Sequence, residues 1–136
     1  MDKFKDKVKT LFDTNKYNST SKFKQEFDFE SRKQEALEVL QKYSDRIPII
    51  VERYSNCDTV PLIDKRKYLV PVDLTLSQFL WTIRKRLNVD SSIALFLFDE
   101  YGNVHSNTKL MVNIYEECKN SDLFLYLQYS TENTFG

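Results

Sequence analysis

At residue 46 the sequence changes period. Upstream, apolar residues recur at helical spacing: Phe23 and Phe27, then Ala36, Leu37, Val39, Leu40 and Tyr43 along residues 29–44. From residue 46 the run Arg46-Ile47-Pro48-Ile49-Ile50-Val51-Glu52-Arg53 is β-branched and reads as a strand. Pro48 cannot donate a ladder hydrogen bond, so its amide side is expected to face away from a partner strand. Arg66–Val72 reads as a second strand, interrupted by Pro71 and paired with the first as an antiparallel hairpin. The intervening residues 54–64 read as a polar connection.

Helical spacing then returns. Leu76, Phe79, Leu80, Ile83 and Leu87 line one face of a helix over 76–87, with Thr75 or Ser77 as cap. Residues 93–98 are nearly continuous in apolar character and read as a buried strand. Glu100-Tyr101-Gly102-Asn103 reads as a turn, residues 108–118 as a short helix, and Leu123–Tyr129 as a final strand. The order predicts an α+β architecture: a four-stranded mixed sheet crossed by one helix, the β-grasp, with two helices placed before it.

The ends differ from this body. In residues 2–12 Phe4, Val8, Leu11 and Phe12 share a helical face flanked by Lys3, Lys5, Lys7 and Lys9. That pattern suits an interfacial helix on anionic lipid, or a helix packed on protein. Residues 13–21 are polar and read as a linker. The expected organisation is an N-terminal extension over 1–21 and one domain over 22–136, with an extended, mobile tail over 130–136.

Bulk properties exclude several classes. Formal charge is zero, with 15 Lys/Arg against 12 Asp/Glu in residues 1–67 and 5 against 8 in residues 68–136. So shallow an asymmetry does not imply nucleic acid. Two cysteines, Cys57 and Cys118, make no disulfide framework and read as free thiols of a reducing compartment. No apolar stretch is long enough for a membrane span or a secretory signal, so a cytosolic origin is expected. With two glycines there is no phosphate cradle, and no HExxH or GxxxxGK[ST] appears. His105, the single histidine, follows a turn and reads as a surface residue. Neither a catalytic constellation nor a cofactor nor a metal is expected.

Several stretches resemble the GABARAP / light chain 3 family of autophagy modifiers. They are Phe29-Glu30 with Arg32-Lys33, Arg46-Ile47-Pro48-Ile49, Ile63-Asp64-Lys65-Arg66-Lys67-Tyr68-Leu69-Val70-Pro71, Gln78-Phe79, Ile83-Arg84-Lys85-Arg86, Phe124-Leu125-Tyr126, and Glu132-Asn133-Thr134-Phe135-Gly136. The resemblance covers about residues 22–136. Residues 1–21 have no counterpart in the family pattern, and the connection between Arg53 and Ile63 is one residue longer than typical.

The resemblance implies a ubiquitin-like fold and a non-enzymatic role. Gly136 would be joined to the amino group of phosphatidylethanolamine by activating and conjugating enzymes, after a cysteine protease had trimmed any residues beyond it. The modifier would act at the autophagosome membrane and reach the vacuole or lysosome. Glycine suits that position because no Cβ obstructs attack on its carbonyl.

The resemblance also implies docking of W/F/Y-x-x-L/I/V receptor motifs on the edge of the second strand. An aromatic pocket would use Glu35, Val39, Pro48, Ile50, Lys67, Leu69 and Phe124. An aliphatic pocket would use Tyr68, Val70, Pro71, Leu74, Phe79 and Ile83. Arg46, Lys65, Lys67 and Arg86 would meet acidic residues of the motif. By pattern alone Ile50, Val70, Leu74, Phe79 and Ile83 read as core. The competing expectation is an unconjugated peptide-binding adaptor of the same fold, acting in vesicle trafficking or cytoskeletal attachment.

Overall fold

The structure is a computed structural model that describes residues 21–131. The expected amphipathic segment over 2–12 and the glycine end lie outside the described residues. Eight elements follow one another in the described part: α1 (Lys22–Glu26), α2 (Phe29–Lys42), β1 (Arg46–Arg53), β2 (Lys67–Pro71), α3 (Leu76–Leu87), β3 (Leu95–Asp99), α4 (Met111–Cys118) and β4 (Leu125–Thr131). The strands form one sheet in the order β2-β1-β4-β3. β1 pairs antiparallel with β2 and parallel with β4, and β3 pairs antiparallel with β4. This is the expected mixed, ubiquitin-like sheet with two helices ahead of it.

Both faces of the central strands are covered, which explains why β1 and β4 read as unbroken apolar runs rather than alternating ones. Ile47, Ile49 and Val51 of β1 join Leu125, Leu127 and Tyr129 of β4 on one face. There they pack against Leu76, Phe79, Ile83 and Leu87 of α3 and Met111, Ile114 and Tyr115 of α4. The opposite face buries Ile50, Phe124 and Tyr126 under Phe23 of α1 and Ala36 of α2. Each such side chain fully removed from water contributes about 1.5–3 kcal/mol.

Local chemistry sets the helix ends. Thr75 and Gln78 form a reciprocal capping box at the start of α3, and Asn88 closes that helix in the left-handed region at φ 54°. The Asp28 side chain accepts from the Ser31 amide at 2.8 Å and starts α2. α1 has only five residues, too few to stand alone. Burial of Phe23, the Phe23 amide on Glu52 Oε2 at 3.1 Å and the Ser21 hydroxyl on Glu52 Oε1 at 2.8 Å hold it to the sheet.

Pro48 sits in a central strand, and the register shows how. The Val51 amide donates to Arg66 on the β2 side, so with a period of two the amide positions of Ile49 and Ile47 face β2 as well. Pro48 therefore turns its missing donor toward β4, whose pairing with β1 begins only at Ile49.

Three expectations need correction. Residues 54–64 are not simply polar, because Tyr54, Cys57 and Val60 are buried. The Tyr129 hydroxyl pins that connection by donating to the Pro61 carbonyl and accepting from the Ile63 amide, both at 2.8 Å. The last strand is displaced by two residues: it ends at Thr131, and Ser130 and Thr131 are buried members of it rather than tail. Finally, His105 is not a free surface residue. Its Nε2 lies 2.8 Å from Asp99 Oδ2 and its side chain is only 12% exposed.

Candidate functional site

β2 is an edge strand, and α2 runs beside it. Val51 donates to Arg66, so residues 66, 68 and 70 address β1, and the backbone groups of Lys67 and Leu69 point outward. The Leu69 carbonyl accepts from Arg46 Nη1 at 3.1 Å, and Pro71 ends the strand without a donor. An outward row of donors and acceptors on an edge is what an extended peptide needs in order to add as a further strand.

A cleft of ≈ 490 Å³ opens between α2 and this edge, lined by Glu35, Val39, Arg46, Lys65, Lys67, Tyr68, Leu69 and Phe124. Buried Phe124 forms its apolar floor, and Leu69, 39% exposed, forms one wall. Lys67 Nζ reaches Glu35 Oε1 at 2.7 Å across the mouth, with both side chains in contact with solvent. An exposed pair of this kind contributes about 0–1 kcal/mol, so an incoming chain can replace it.

All eight lining residues are among those expected from the sequence. The structure distributes the remaining ones differently. Pro48 and Ile50 are buried in β1, Pro48 directly opposite Leu69 and Ile50 in the same cluster as Phe124. They back the floor rather than line the opening. Val70, Phe79 and Ile83 are core residues behind β2, and Leu74 packs against the same cluster. Tyr68 stands edge-on to Phe79, with ring centroids 5.5 Å apart. Burial pushes its phenol up to about 12, so it stays neutral. Arg86 does not reach the cleft. It clasps Asp64 through Nε to Oδ1 at 2.7 Å and Nη2 to Oδ2 at 3.3 Å, and that bond holds the Asp64 carboxyl below its ordinary range.

Sequence reasoning missed how the rim is braced. Arg66 pairs with Glu26, and its guanidinium lies 5.3 Å from the Phe23 ring centroid and 6.0 Å from that of Phe27. Lys67 Nζ is 5.8 Å from Phe23 as well. The i, i+4 spacing of Phe23 and Phe27 signalled this arrangement, since it brings the ring of Phe27, at the C-cap of α1, to 5.2 Å from that of Phe23. Among the described residues no helix is long and apolar enough to cross a membrane.

Comparison with known proteins adds to this geometry. Residues 31–136 match the family described as "Autophagy protein Atg8 ubiquitin like". Autophagy-related protein 8 of Colletotrichum lindemuthianum and that of Neurospora crassa are each 53% identical over 117 residues, 85% of this chain and 94% of theirs. Autophagy-related protein 8 of Coccidioides immitis is 52% identical over 117 residues, 85% of this chain and 97% of its own length. The crystal structure of Trypanosoma brucei ATG8 superposes with a TM-score of 0.79 at 41% identity, covering 85% of this chain and 98% of that one. A family match over more than half of the chain and this agreement of topology lead to one conclusion: the chain belongs to the Atg8 family of ubiquitin-like autophagy proteins.

Proposed function

We propose that this chain is a modifier joined through Gly136 to phosphatidylethanolamine on autophagosomal membranes, where the β2 edge recruits receptors carrying W/F/Y-x-x-L/I/V motifs. The observation that carries the reading is the family match, which runs through Glu132-Asn133-Thr134-Phe135 to Gly136 itself. The chain does no catalysis of its own. Adenylation of the Gly136 carboxylate, its passage between enzyme thiols and its amide transfer all use nucleophiles of the activating and conjugating enzymes. Phe135 presents the glycine, and a processing cysteine protease exposes it where a precursor runs further. Two acyl chains make a stable anchor where one is marginal, at about 0.8 kcal/mol per buried CH₂. Conjugation thus turns a cytoplasmic protein into a membrane-bound one, on the autophagosome and then in the vacuole or lysosome.

At the docking edge the aromatic residue of the motif fills the cleft over Phe124, between Val39 and Leu69. The peptide backbone pairs with the outward groups of Lys67 and Leu69. Arg46, Lys65 and Lys67 meet acidic residues before the motif, a contribution that acts on association rate and selectivity. The aliphatic residue lies toward Pro71 and Leu74, over the wall formed by Tyr68, Val70, Phe79 and Ile83, with Arg86 beyond.

Two measurements test the reading. Incubation with cognate activating and conjugating enzymes, ATP and phosphatidylethanolamine liposomes yields a lipid adduct, and Gly136→Ala or removal of Gly136 abolishes it. Absence of any adduct from the unaltered chain overturns the conjugation. Leu69→Ala and Lys67→Ala each weaken binding of a W-x-x-L peptide by roughly 5- to 30-fold in calorimetric titration, the loss of one or two kcal/mol at a contact residue. Unchanged affinity in both variants moves the docking site elsewhere.

A further inference from the structure

The cleft and the glycine end leave unused a cluster on the opposite edge of the sheet. Asp99 closes β3, His105 follows the turn after it, and Cys118 closes α4. Asp99 Oδ2 is 2.8 Å from His105 Nε2, and Cys118 Sγ is 3.7 Å from the same nitrogen. One carboxylate oxygen, one imidazole nitrogen and one thiol sulfur all lie within 4.8 Å of one another. From this geometry we propose that Asp99, His105 and Cys118 form a binding site for a single Zn²⁺ ion.

The ligand set and its spacing support zinc in particular. Zinc accepts mixed nitrogen, sulfur and carboxylate ligands, whereas the harder divalent ions favour oxygen alone. Bonds of about 2.0–2.3 Å in a tetrahedron set ligand atoms about 3.3–3.7 Å apart. The sulfur–nitrogen distance already falls there, and the Asp99–His105 pair needs to open by only about 0.5 Å to reach it. A water molecule fills the fourth position.

Asp99 is oriented for the task. Its other oxygen, Oδ1, accepts from the amides of Tyr101 at 2.8 Å and Asn103 at 2.9 Å. Those bonds fix the carboxylate and leave Oδ2 directed at the site, the arrangement that backs metal ligands in general. Gly102, at φ 84°, makes the turn that brings both amides round. Asp99 is fully buried and Cys118 is 7% exposed, while the partly exposed His105 gives the ion its way in.

Two adjustments accompany binding. The Cys118 thiol proton leaves to solvent as the sulfur–zinc bond forms. The imidazole must present a lone pair at Nε2, so its proton moves to Nδ1. Lys109 Nζ lies 3.5 Å from Nδ1 and opposes that tautomer. Lys109 also donates to Glu117, which gives the ammonium an alternative partner. Lys109→Gln therefore tightens binding.

The test uses the full chain, stripped with chelator and kept reduced with a phosphine. Cobalt(II) titration is expected to give one equivalent bound, with a thiolate-to-cobalt charge-transfer band that Zn²⁺ bleaches. Cys118→Ser removes the band, and both it and His105→Ala weaken Zn²⁺ by about tenfold or more. Cys57→Ser changes neither. Circular dichroism checks that each variant is folded, and the partly exposed His105 keeps the question decidable if the Cys118 variant is not. No band on the unaltered chain, or Zn²⁺ affinity unchanged in His105→Ala, overturns the site.

Discussion

At the scale of single residues, the interior polar groups are the most consequential. Asp122 is fully buried, accepts from the Phe124 amide at 2.9 Å and from the Tyr126 hydroxyl, and lies 3.6 Å from Arg32 Nε. Asp122→Ala leaves the Arg32 charge without its counter-ion and the Tyr126 hydroxyl without its acceptor inside the protein, and costs about 3–5 kcal/mol. Urea unfolding checks it, and a loss below about 1 kcal/mol contradicts this account. The thiols give a second residue-scale outcome. Cys57 and Cys118 are both buried, and burial, with Asp99 beside it, pushes the Cys118 thiol up to about 12. Metal-free native protein should therefore react with a thiol reagent only as fast as it opens, and the rate should rise steeply in denaturant. Fast native labelling contradicts that. This is also the scale at which the sequence was least legible. Asp99, His105 and Cys118 share no recognisable spacing, and only the turn at Gly102 and the docking of α4 bring them together.

At the scale of elements, the sequence was most legible where local chemistry and tertiary demand agree. The helix expected over 76–87 is found over Leu76–Leu87, because a capping box opens it, an asparagine in the left-handed region closes it, and four apolar residues at helical spacing all meet the sheet. Thr75→Ala removes one side of that box and lowers stability by about 1 kcal/mol, read as a shift of the urea midpoint with unchanged slope. The first two strands were legible for a related reason, since β-branched residues bounded by charge have few other uses. The polar connection was misread because Tyr54, Cys57 and Val60 are spaced like nothing regular. They are buried by a loop that folds back under the Tyr129 hydroxyl, and no periodicity records such a contact. The docking cleft was legible only through resemblance, since its residues come from α2, β1, β2, the stretch before β2 and the residue just before β4.

At the scale of the whole molecule, ionisation ties stability to pH. Bonds from Arg66, Ser31, Arg86 and Ser92 hold the carboxyls of Glu26, Asp28, Asp64 and Asp90 below their ordinary range. For Asp99 burial acts the other way, but the His105 and Asn103 bonds outweigh it and its carboxyl is also held down. A carboxyl held down in the folded protein takes up its proton later than in the unfolded chain. Its contribution is whole above the unfolded value and is lost as pH falls through the folded one. Glu100, pushed up by burial, has the opposite sign. With five groups of one sign and one of the other, the urea midpoint should fall as pH drops from about 5 toward 3. A midpoint that rises over that interval contradicts the balance.

β4 lies between two neighbours, parallel to β1 on one side and antiparallel to β3 on the other, and five residues of sequence follow Thr131. A membrane attached at the end of those residues would pull along that strand, while cargo held at β2 would pull from two positions away across the same sheet. Force that ran along the strands would load the β1–β4 rungs side by side in shear instead of opening them one at a time. Under that load the end of the chain would not be the place where the sheet begins to unravel.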